Sequence, residues 1–403
     1  MLTGRMAGQS PPLREPASCK PQRIRVEFDY PVVFTRGLFA EDNDDLLWAI
    51  ARKEPDRCHK VYVVIDQGVA EAWPTLVDDV ETWFEARNRH LELCDRPLVI
   101  LGGEAAKNDP DLVGSLLARF QGAKLDRQAF VLMIGGGAML DVVGYAAAIT
   151  HRGLRIVRAP STVLAQNDAG IGVKNGINAF RTKNFLGTFA PPFAVVNDID
   201  LIRTLHARDR RAGIAEAVKV ACIRDANFFD WLEAERDELR DSEPAVMEEM
   251  IRRCAELHLQ HISTCGDPFE MGSARPLDFG HWAAHRLEAL TRHELRHGEA
   301  VAIGIALDAR ISVLTGRLDE QSQRRIWDTL LGVGFPLWHD ALTEADSDGR
   351  LAVIRGLDQF REHLGGELTV TLLEAIGRGV EVHEVDEAMV GEAIVELRKV
   401  AGA

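Results

Sequence analysis

The stretch "FVLMIGGGAMLDVVGYAAA", residues 130–148, indicates how this chain is built. Its first five residues are apolar and predict a buried strand, three glycines follow, and the apolar residues after them predict a helix. Backbone without side chains at a helix N-terminus can approach a phosphate closely, and the helix dipole favours the negative charge. The stretch lacks the spaced Gly-x-Gly-x-x-Gly pattern, so it predicts a nucleotide-binding turn other than the standard dinucleotide fingerprint.

The same rhythm extends through the first half of the chain. We predict strands at 61–66, 97–101, 130–134, 155–160 and 193–198, with helical stretches such as 69–87 and 110–121 between the earlier ones. This alternation favours a parallel sheet with helices on its faces. Asp66 follows one strand and Glu104 and Lys107 follow another. Such sheets bind ligands at the carboxyl ends of their strands, so these polar residues and the glycine turn are predicted to meet there.

The second half is predicted to be helical. Helical periodicity occurs at 208–222, 243–264, 277–291, 297–315, 321–333 and 385–399, and one short run at 367–373 favours a strand. A chain of 403 residues is long enough for about two domains. We therefore predict a flexible tail at 1–22, an α/β domain at 23–206 and a helical domain at 207–403.

Composition excludes several classes of function. A net charge of −15 argues against broad binding of nucleic acid. The six cysteines form no Cys-x-x-Cys pair, which favours reduced thiols over a disulfide framework. The first twenty residues contain no apolar run typical of a secretory signal, and no apolar stretch approaches the ~20 residues that span a membrane. We predict a cytoplasmic protein with no membrane partner.

Two segments carry candidate chemistry. Residues 159–189 form a polar stretch in which Asp168, Asn178, Asn184 and the lysines 174 and 183 stand among glycines, and we predict a loop that binds a phosphorylated substrate. In "RPLDFGHWAAH", residues 275–285, His281 and His285 are one helical turn apart and Asp278 precedes them. That spacing alone leaves open a metal site, an acid/base site and an ordinary helix that carries polar residues.

Seven motifs together resemble a known family. They are "GGGAMLD" (135–141), "ITHRG" (149–153), "PSTVLAQNDAGIGVKNGIN" (160–178), "KNFLGTF" (183–189), "GIAEAVK" (213–219), "DFGH" (278–281) and "RHGEAVAIGI" (296–305). In order and spacing they resemble the sugar phosphate cyclases, the 3-dehydroquinate synthase superfamily. The resemblance implies an N-terminal NAD-binding α/β domain with a Rossmann-like parallel sheet, an all-α metal-binding domain, and an active site between them.

The resemblance also implies roles for individual residues. The family's metal ligands fall on Glu216, His281 and His297, a set that suits catalytic zinc, with cobalt as an alternative. The catalytic residues implied are Asp168, Lys174, Lys219, Asp278 and His285. Substrate contacts are implied for Arg152, Lys174, Lys183, Asn184, Gln260, Asp278, His285 and Arg361. NAD contacts are implied for Asp66, Glu104, Lys107, Gly135, Gly136, Gly137, Asp141, Ser161, Thr162, Asp168, Lys183 and Thr204.

The implied reaction converts a heptulose 7-phosphate into a carbocycle. NAD takes a hydride from a ring alcohol held on the metal, phosphate leaves by β-elimination, the hydride returns, and the opened ring closes by an intramolecular aldol step. NAD is regenerated in each turnover. The resemblance further implies a homodimer in which Arg152 reaches the substrate phosphate in the neighbouring active site.

Departures from 3-dehydroquinate synthase bear on the substrate. Counting back from His281 places Gln260 and Ala274 where that enzyme has cations, and Asp278 where it has asparagine. A substrate carboxylate would then lose cationic partners. This favours a neutral ketose such as sedoheptulose 7-phosphate, as in the 2-epi-5-epi-valiolone synthases. The chain also resembles the cyclases of Ebo gene clusters, a resemblance that implies no particular substrate.

Three observations keep alternatives open. His285 is typical of 3-dehydroquinate synthases, whereas the valiolone synthases tend to have proline there. Arg275 and Arg361 could restore a carboxylate clamp and give 3-dehydroquinate synthase proper. An NAD- and metal-dependent alcohol dehydrogenase of the glycerol type shares the architecture, although Arg152 and the lysines of the polar loop favour a phosphorylated substrate.

Overall fold

The structure, a computed structural model, describes residues 18–180, 182–264, 269, 276–363 and 367–402. The first seventeen residues of the predicted tail lie outside the described residues, as do Ala274 and Arg275 of the predicted substrate pocket.

Strands are concentrated in the first half of the described chain and helices in the second. The strands are β1 (Val32–Thr35), β2 (His59–Asp66), β3 (Leu91–Leu93), β4 (Leu98–Ile100), β5 (Phe130–Gly135), β6 (Arg155–Pro160), β7 (Lys174–Ala179), β8 (Thr182–Phe189), β9 (Ala194–Asp198), β10 (Val370–Ala375) and β11 (Arg378–Val382). The helices are α1 (Asp45–Ala51), α2 (Gln67–Ala72), α3 (Leu76–Ala86), α4 (Glu104–Lys107), α5 (Leu112–Gly122), α6 (Gly137–Ile149), α7 (Ala207–Arg224), α8 (Ala226–Ala234), α9 (Arg236–Asp241), α10 (Pro244–Thr264), α11 (His281–Leu290), α12 (His297–Leu314), α13 (Glu320–Val333), α14 (Arg355–His363) and α15 (Glu387–Ala401).

The first half is a parallel sheet with helices packed on it. Its strand order is β1-β9-β6-β5-β2-β3, and β4 also pairs with β2. The pairings in this sheet are parallel, so their carboxyl ends share one edge. β5 is buried along its whole length, as the quoted stretch predicts, and α6 begins at Gly137 immediately after the glycine turn. The predicted Rossmann-like sheet is confirmed.

The second half is helical and is centred on α7 and α12. Residues 212–223 of α7 are all buried, and so are residues 300–309 of α12. A helix that is buried all round lies in the middle of its domain. α11 crosses α12 at glycines, because a Cβ atom on Gly304 would lie only 2.0 Å from the carbonyl oxygen of Gly280. The predicted helical half is therefore confirmed, and its helices approach one another closely.

Some expectations about local structure were wrong. The predicted loop at 159–189 contains a π-helical turn, Ala165–Ala169, and an antiparallel hairpin formed by β7 and β8. The predicted helix at 69–87 is split into α2 and α3, because Pro74 lies at the break and cannot continue a helix. Helix α11 begins only at His281, and Asp278 ends a short 3₁₀ turn before it.

The strand predicted at 367–373 is confirmed as β10, which pairs with β11.

Candidate active site

Three helices bring a carboxylate and two imidazoles together. Glu216 lies in the middle of α7, while His281 and His297 are the first residues of α11 and α12. The Oε1 atom of Glu216 lies 3.6 Å from Nε2 of His281 and 3.3 Å from Nε2 of His297. The potential ligand atoms of all three lie within 4.8 Å of one another. This is the trio that the sequence resemblance implies as metal ligands.

The orientation of the two imidazoles fits a divalent cation. Nδ1 of His281 lies 3.2 Å from the carbonyl oxygen of Phe279, and Nδ1 of His297 lies 3.1 Å from Oε2 of Glu288. Both acceptors take a proton from Nδ1, so Nε2 is the nitrogen of each ring that would bind a metal, and both Nε2 atoms face Glu216. The Glu216 carboxylate is buried, and its Oε1 atom faces both imidazoles. Two imidazole nitrogens and a carboxylate oxygen are ligands that zinc or cobalt prefers.

The charges around the cluster alternate. Burial raises the pKa of Glu216, but Lys219 and His281 outweigh it and hold that pKa well below its usual range. Lys219 is buried against Glu216 in an ion pair one helical turn along α7. Burial lowers the pKa of Lys219, but the negative charges of Glu216 and Asp168 raise it by more, so this pKa lies above its ordinary value. Both groups therefore stay ionised at neutral pH.

Asp168 and Asp278 also lie near Lys219. Asp168 is on the π-helical turn, and its Oδ1 atom lies 3.0 Å from Nδ1 of His258 on α10. Asp278 lies close enough to Lys219 to raise its pKa. Its Oδ2 atom is buried, and no described residue donates a hydrogen bond to it. The structure therefore brings these two predicted acidic residues to the cluster.

Sequence reasoning missed Glu288. This residue is 4% exposed, and its carboxylate lies 3.1 Å from both His297 Nδ1 and Lys183 Nζ. Burial raises the pKa of Glu288, but His297 and Lys183 lower it more, so the carboxylate is ionised. The signal in the sequence was spacing, because 281, 285 and 288 fall on one helix face. The rings of His281 and His285 are 5.4 Å apart, which places His285 beside the cluster.

Sequence reasoning also missed His258, and it chose Gln260 instead. Gln260 is exposed, whereas His258 faces Asp168. Two residues along a helix correspond to about 200° of rotation, so the two side chains lie on nearly opposite faces of α10. The substrate contact of Gln260 therefore stays a prediction. The buried stripe formed by Met247, Met250 and Cys254 continues to position 258 and could have identified His258.

The glycine turn lies against the ends of neighbouring strands. A Cβ atom on Gly102 would lie 1.8 Å from the Asp66 carboxylate, and one on Gly135 would lie 3.0 Å from Cβ of Asp66. Gly136 packs in the same way against the side chain of Thr162, and the amide of Ser161 donates to the carbonyl of Gly135. Asp66, the glycine turn and the 161–162 segment thus meet at one edge of the sheet, as predicted.

A polar network joins this edge to the hairpin. The Lys107 ammonium is buried and donates to Asp141 at 2.7 Å and to the side chain of Asn184. Asn178 donates to Glu104 at 2.8 Å and accepts from the Asn184 amide. These five residues tie α4, α6 and the hairpin together. Lys183, which precedes Asn184 on β8, forms an ion pair with Glu288 on α11 and so contacts the helical half of the molecule.

Three predicted residues lie apart from the cluster. Arg361 is half exposed and lies 3.6 Å from Asp358 on its own helix. Thr204 is exposed at the end of a 3₁₀ helix, Ile199–Thr204. Arg152 is exposed beyond the C-terminal end of α6, and this helix of 13 residues separates it from the glycine turn by about 20 Å. Within this chain, the contacts that the structure shows do not support a place for Arg361 or Arg152 in the pocket.

The comparisons with known proteins identify the class. Residues 97–212 match the family described as 3-dehydroquinate synthase N-terminal, and residues 213–355 match 3-dehydroquinate synthase C-terminal. A 3-dehydroquinate synthase from a strain of Xanthomonas oryzae pv. oryzae is 38% identical over 299 residues, which is 73% of this chain and 79% of that protein. The chain belongs to the 3-dehydroquinate synthase superfamily of sugar phosphate cyclases.

Two valiolone synthases are also similar. The 2-epi-5-epi-valiolone synthase of Streptomyces glaucescens is 36% identical over 264 residues, 65% of this chain and 66% of that protein. The solved structure of ValA, a 2-epi-5-epi-valiolone synthase from Streptomyces hygroscopicus subsp. jinggangensis, has a TM-score of 0.82 at 28% identity and covers 94% of this chain and 99% of that one. ValA was solved with NAD+ and Zn2+ bound, which are the cofactors that the sequence of this chain predicts. No helix among the described residues is long and apolar enough to cross a membrane.

Proposed function

We propose that this protein is an NAD- and metal-dependent carbon–oxygen lyase that converts a neutral heptulose 7-phosphate, such as sedoheptulose 7-phosphate, into a carbocycle with loss of phosphate. The superfamily supports the reaction class, and the Asp278 side chain supports the choice of substrate. Its buried Oδ2 atom has no donor among the described residues. A buried acceptor without a donor costs about 1–3 kcal/mol, which a substrate hydroxyl would recover and a substrate carboxylate would not.

In this proposal Glu216, His281 and His297 would hold the metal, and the glycine turn, Gly135–Gly137, would hold NAD. When bound, the metal polarises the substrate oxygens and NAD accepts and returns a hydride. Lys219 keeps Glu216 ionised. His285 is exposed next to the ligand histidines and can exchange a proton with a substrate hydroxyl.

The phosphate end of the substrate is assigned to the hairpin. Lys174 is exposed at the start of β7, and Lys183 and Asn184 lie on β8. Arg152 would serve the active site of a second copy in a homodimer, since α6 holds it about 20 Å from the glycine turn of its own chain. His151 and Arg152, in the turn after α6, both have positive φ, 52° and 67°. This strained backbone supports a fixed position for the Arg152 side chain.

A second candidate is 3-dehydroquinate synthase proper, favoured by the 38% identical relative and by the presence of His285. The deciding experiment measures phosphate release from sedoheptulose 7-phosphate and from 3-deoxy-arabino-heptulosonate 7-phosphate. A charge-assisted hydrogen bond is worth about 1.5–3 kcal/mol, so a substrate carboxylate that loses two cationic partners, at positions 260 and 274, should react roughly 10²- to 10⁴-fold more slowly.

Substitution at Asp278 sharpens this test. Asp278→Asn removes the repulsion between two carboxylates and should narrow the gap between the two sugars. Efficient formation of 3-dehydroquinate with no reaction of the ketose would establish the second candidate instead. Steady accumulation of NADH with either sugar would indicate a net dehydrogenase and would contradict both cyclase assignments.

A further inference from the structure

Glu288 contacts both the metal cluster and the hairpin. One of its oxygens accepts from Nδ1 of the metal ligand His297, and the other pairs with Lys183 on β8, each at 3.1 Å. Glu288 belongs to α11 in the helical half, whereas Lys183 belongs to the α/β half. The carboxylate therefore joins the two halves at the site itself.

The contacts continue on both sides of this carboxylate. Toward the metal, the hydrogen bond to Nδ1 of His297 fixes the tautomer and turns Nε2 toward Glu216 at 3.3 Å. On the side of the glycine turn, Lys183 is followed along the chain by Asn184, whose side chain accepts a hydrogen bond from Lys107. Lys107 also donates to Asp141 on α6, the helix that begins at the glycine turn. Two sets of polar contacts, joined by the peptide bond between Lys183 and Asn184, thus connect the proposed metal ligand His297 to the helix that follows the glycine turn.

The geometry also separates Glu288 from the ligands themselves. His285, Glu288 and His297 could hold an ion in principle, since their potential ligand atoms lie within 4.8 Å of one another. Both carboxylate oxygens of Glu288 are already engaged, however, and His297 uses the nitrogen that faces Glu288 as a donor. We expect one metal per chain, with Glu288 outside its coordination sphere.

We propose that Glu288 is a positioning residue that links metal binding to NAD binding, by holding His297 and Lys183 with one carboxylate. The inference rests on the proposed metal ligands but not on the identity of the sugar. Coupling between two sites is reciprocal, so a metal that tightens NAD binding must itself bind more tightly in the presence of NAD. In the wild-type protein we expect a coupling factor of roughly 5- to 100-fold.

The experiment measures dissociation constants without substrate. Zn2+ affinity is determined by competition with a chelator, with and without NAD+, and NAD+ affinity is determined by calorimetry on the metal-free and Zn2+-loaded protein. Glu288→Gln keeps the shape but has a single acceptor oxygen, so it cannot serve both partners. We expect Zn2+ affinity to fall by roughly 10- to 100-fold and the coupling factor to fall to about 1. Glu256→Gln, an exposed change on α10, is the control and should leave both quantities unchanged.

A second variant breaks the link from the other end. Lys183→Gln alters a partly exposed side chain and leaves the Glu288–His297 hydrogen bond in place. We expect Lys183→Gln to keep Zn2+ affinity within a few-fold of wild type and to abolish the coupling between Zn2+ and NAD+ binding. This variant tests the proposal even if Glu288→Gln fails to fold. Unchanged coupling in Lys183→Gln, wild-type Zn2+ affinity in folded Glu288→Gln, or two Zn2+ per chain would each overturn the proposal. Because no sugar is used, an error in the proposed substrate would leave these results intact.

Discussion

The metal cluster and the β7–β8 hairpin form two sides of the candidate site, and they are held in opposite ways. The cluster is built on α7 and α12, whose central residues are buried on every side. The hairpin is mostly exposed along β8, and it is fastened by polar contacts of Lys183, Asn184 and Asn178. Packing therefore fixes the proposed metal ligands, whereas hydrogen bonds and ion pairs position the exposed strand β8, whose partner β7 packs on α6.

The residues proposed to hold the metal and the residues proposed to bind the substrate are therefore held in place by different interactions. A close-packed core allows little displacement of Glu216, His281 or His297, so their positions relative to one another should be fixed. A hairpin that depends on individual polar contacts can change side chains without loss of the fold. Substitutions in the buried region should therefore have larger effects than substitutions in the hairpin.

The largest effect is expected at a metal ligand. His297→Ala removes one of three proposed protein ligands, and one ligand of a zinc site is worth roughly 3–4 kcal/mol. We expect Zn2+ affinity to fall by more than about 100-fold and phosphate release to be lost, as checked by chelator competition and a phosphate assay. His206→Ala, an exposed change just before α7, is the control and should leave both quantities unchanged. Full metal occupancy in His297→Ala would refute the ligand assignment.

The buried half should also show a pH dependence that comes from Asp308. This carboxyl is fully buried, where it accepts from the Trp282 indole and the Gly280 amide, both at 2.8 Å. Burial raises its pKa to about 7, against an ordinary value of 3.8. Between these pH values the folded protein keeps a proton that the unfolded chain releases, so the free energy of unfolding falls as pH rises and the loss is complete above about pH 7.

Asp308→Asn removes this titration. The difference in unfolding free energy, wild type minus variant, should fall by about 1.4 kcal/mol per pH unit between roughly pH 4 and pH 7. Loss of one acceptor for Trp282 or Gly280 adds an offset that is independent of pH. Urea unfolding across this range gives the slope. Parallel stability curves for the two proteins would show that Asp308 does not titrate in this window.

The crossing of α11 and α12 provides a smaller effect. A Cβ atom on Gly304 would lie 2.0 Å from the Gly280 carbonyl oxygen, so Gly304→Ala must push the two helices apart. We expect a loss of about 1–3 kcal/mol in unfolding free energy. Gly391→Ala in α15 is the matched control, since a Cβ atom there meets nothing within 4 Å, and it should stabilise by about 0.5–1 kcal/mol. Equal stability of the two variants would contradict a close-packed crossing.

The smallest effect is expected at the tip of the hairpin. Phe180 is 83% exposed, and its ring contacts that of Phe185 at 5.4 Å between centroids. Phe180→Ser should change the unfolding free energy by less than about 0.5 kcal/mol in urea titrations. The buried Phe228→Ser should cost several kcal/mol, in line with the roughly 3–5 kcal/mol of large-to-small changes in a core. A loss above about 1 kcal/mol for Phe180→Ser would place the hairpin tip in the cooperative core.

Local pattern was a good guide to the buried elements. The β5 run, the glycine turn and α6 were predictable because an apolar run, three glycines and a second apolar segment are compatible with few other local structures. The hairpin was not, since glycines, asparagines and lysines lower the strand propensity of β7 and β8, and their pairing depends on contact with each other. The sequence did not show whether position 258 or 260 faces Asp168, because counting along the chain from His281 does not fix the helical phase of α10.

The sequence by itself determined the superfamily, the parallel sheet, the helical half and the three potential metal ligands, because each follows from short motifs or from periodicity. Only the tertiary structure decided that His258 faces Asp168 and that Glu288 joins His297 to Lys183. The physical reason is that these relations join residues on different elements. Helix phase, crossing distance and the direction of a side chain are set by how the elements pack together.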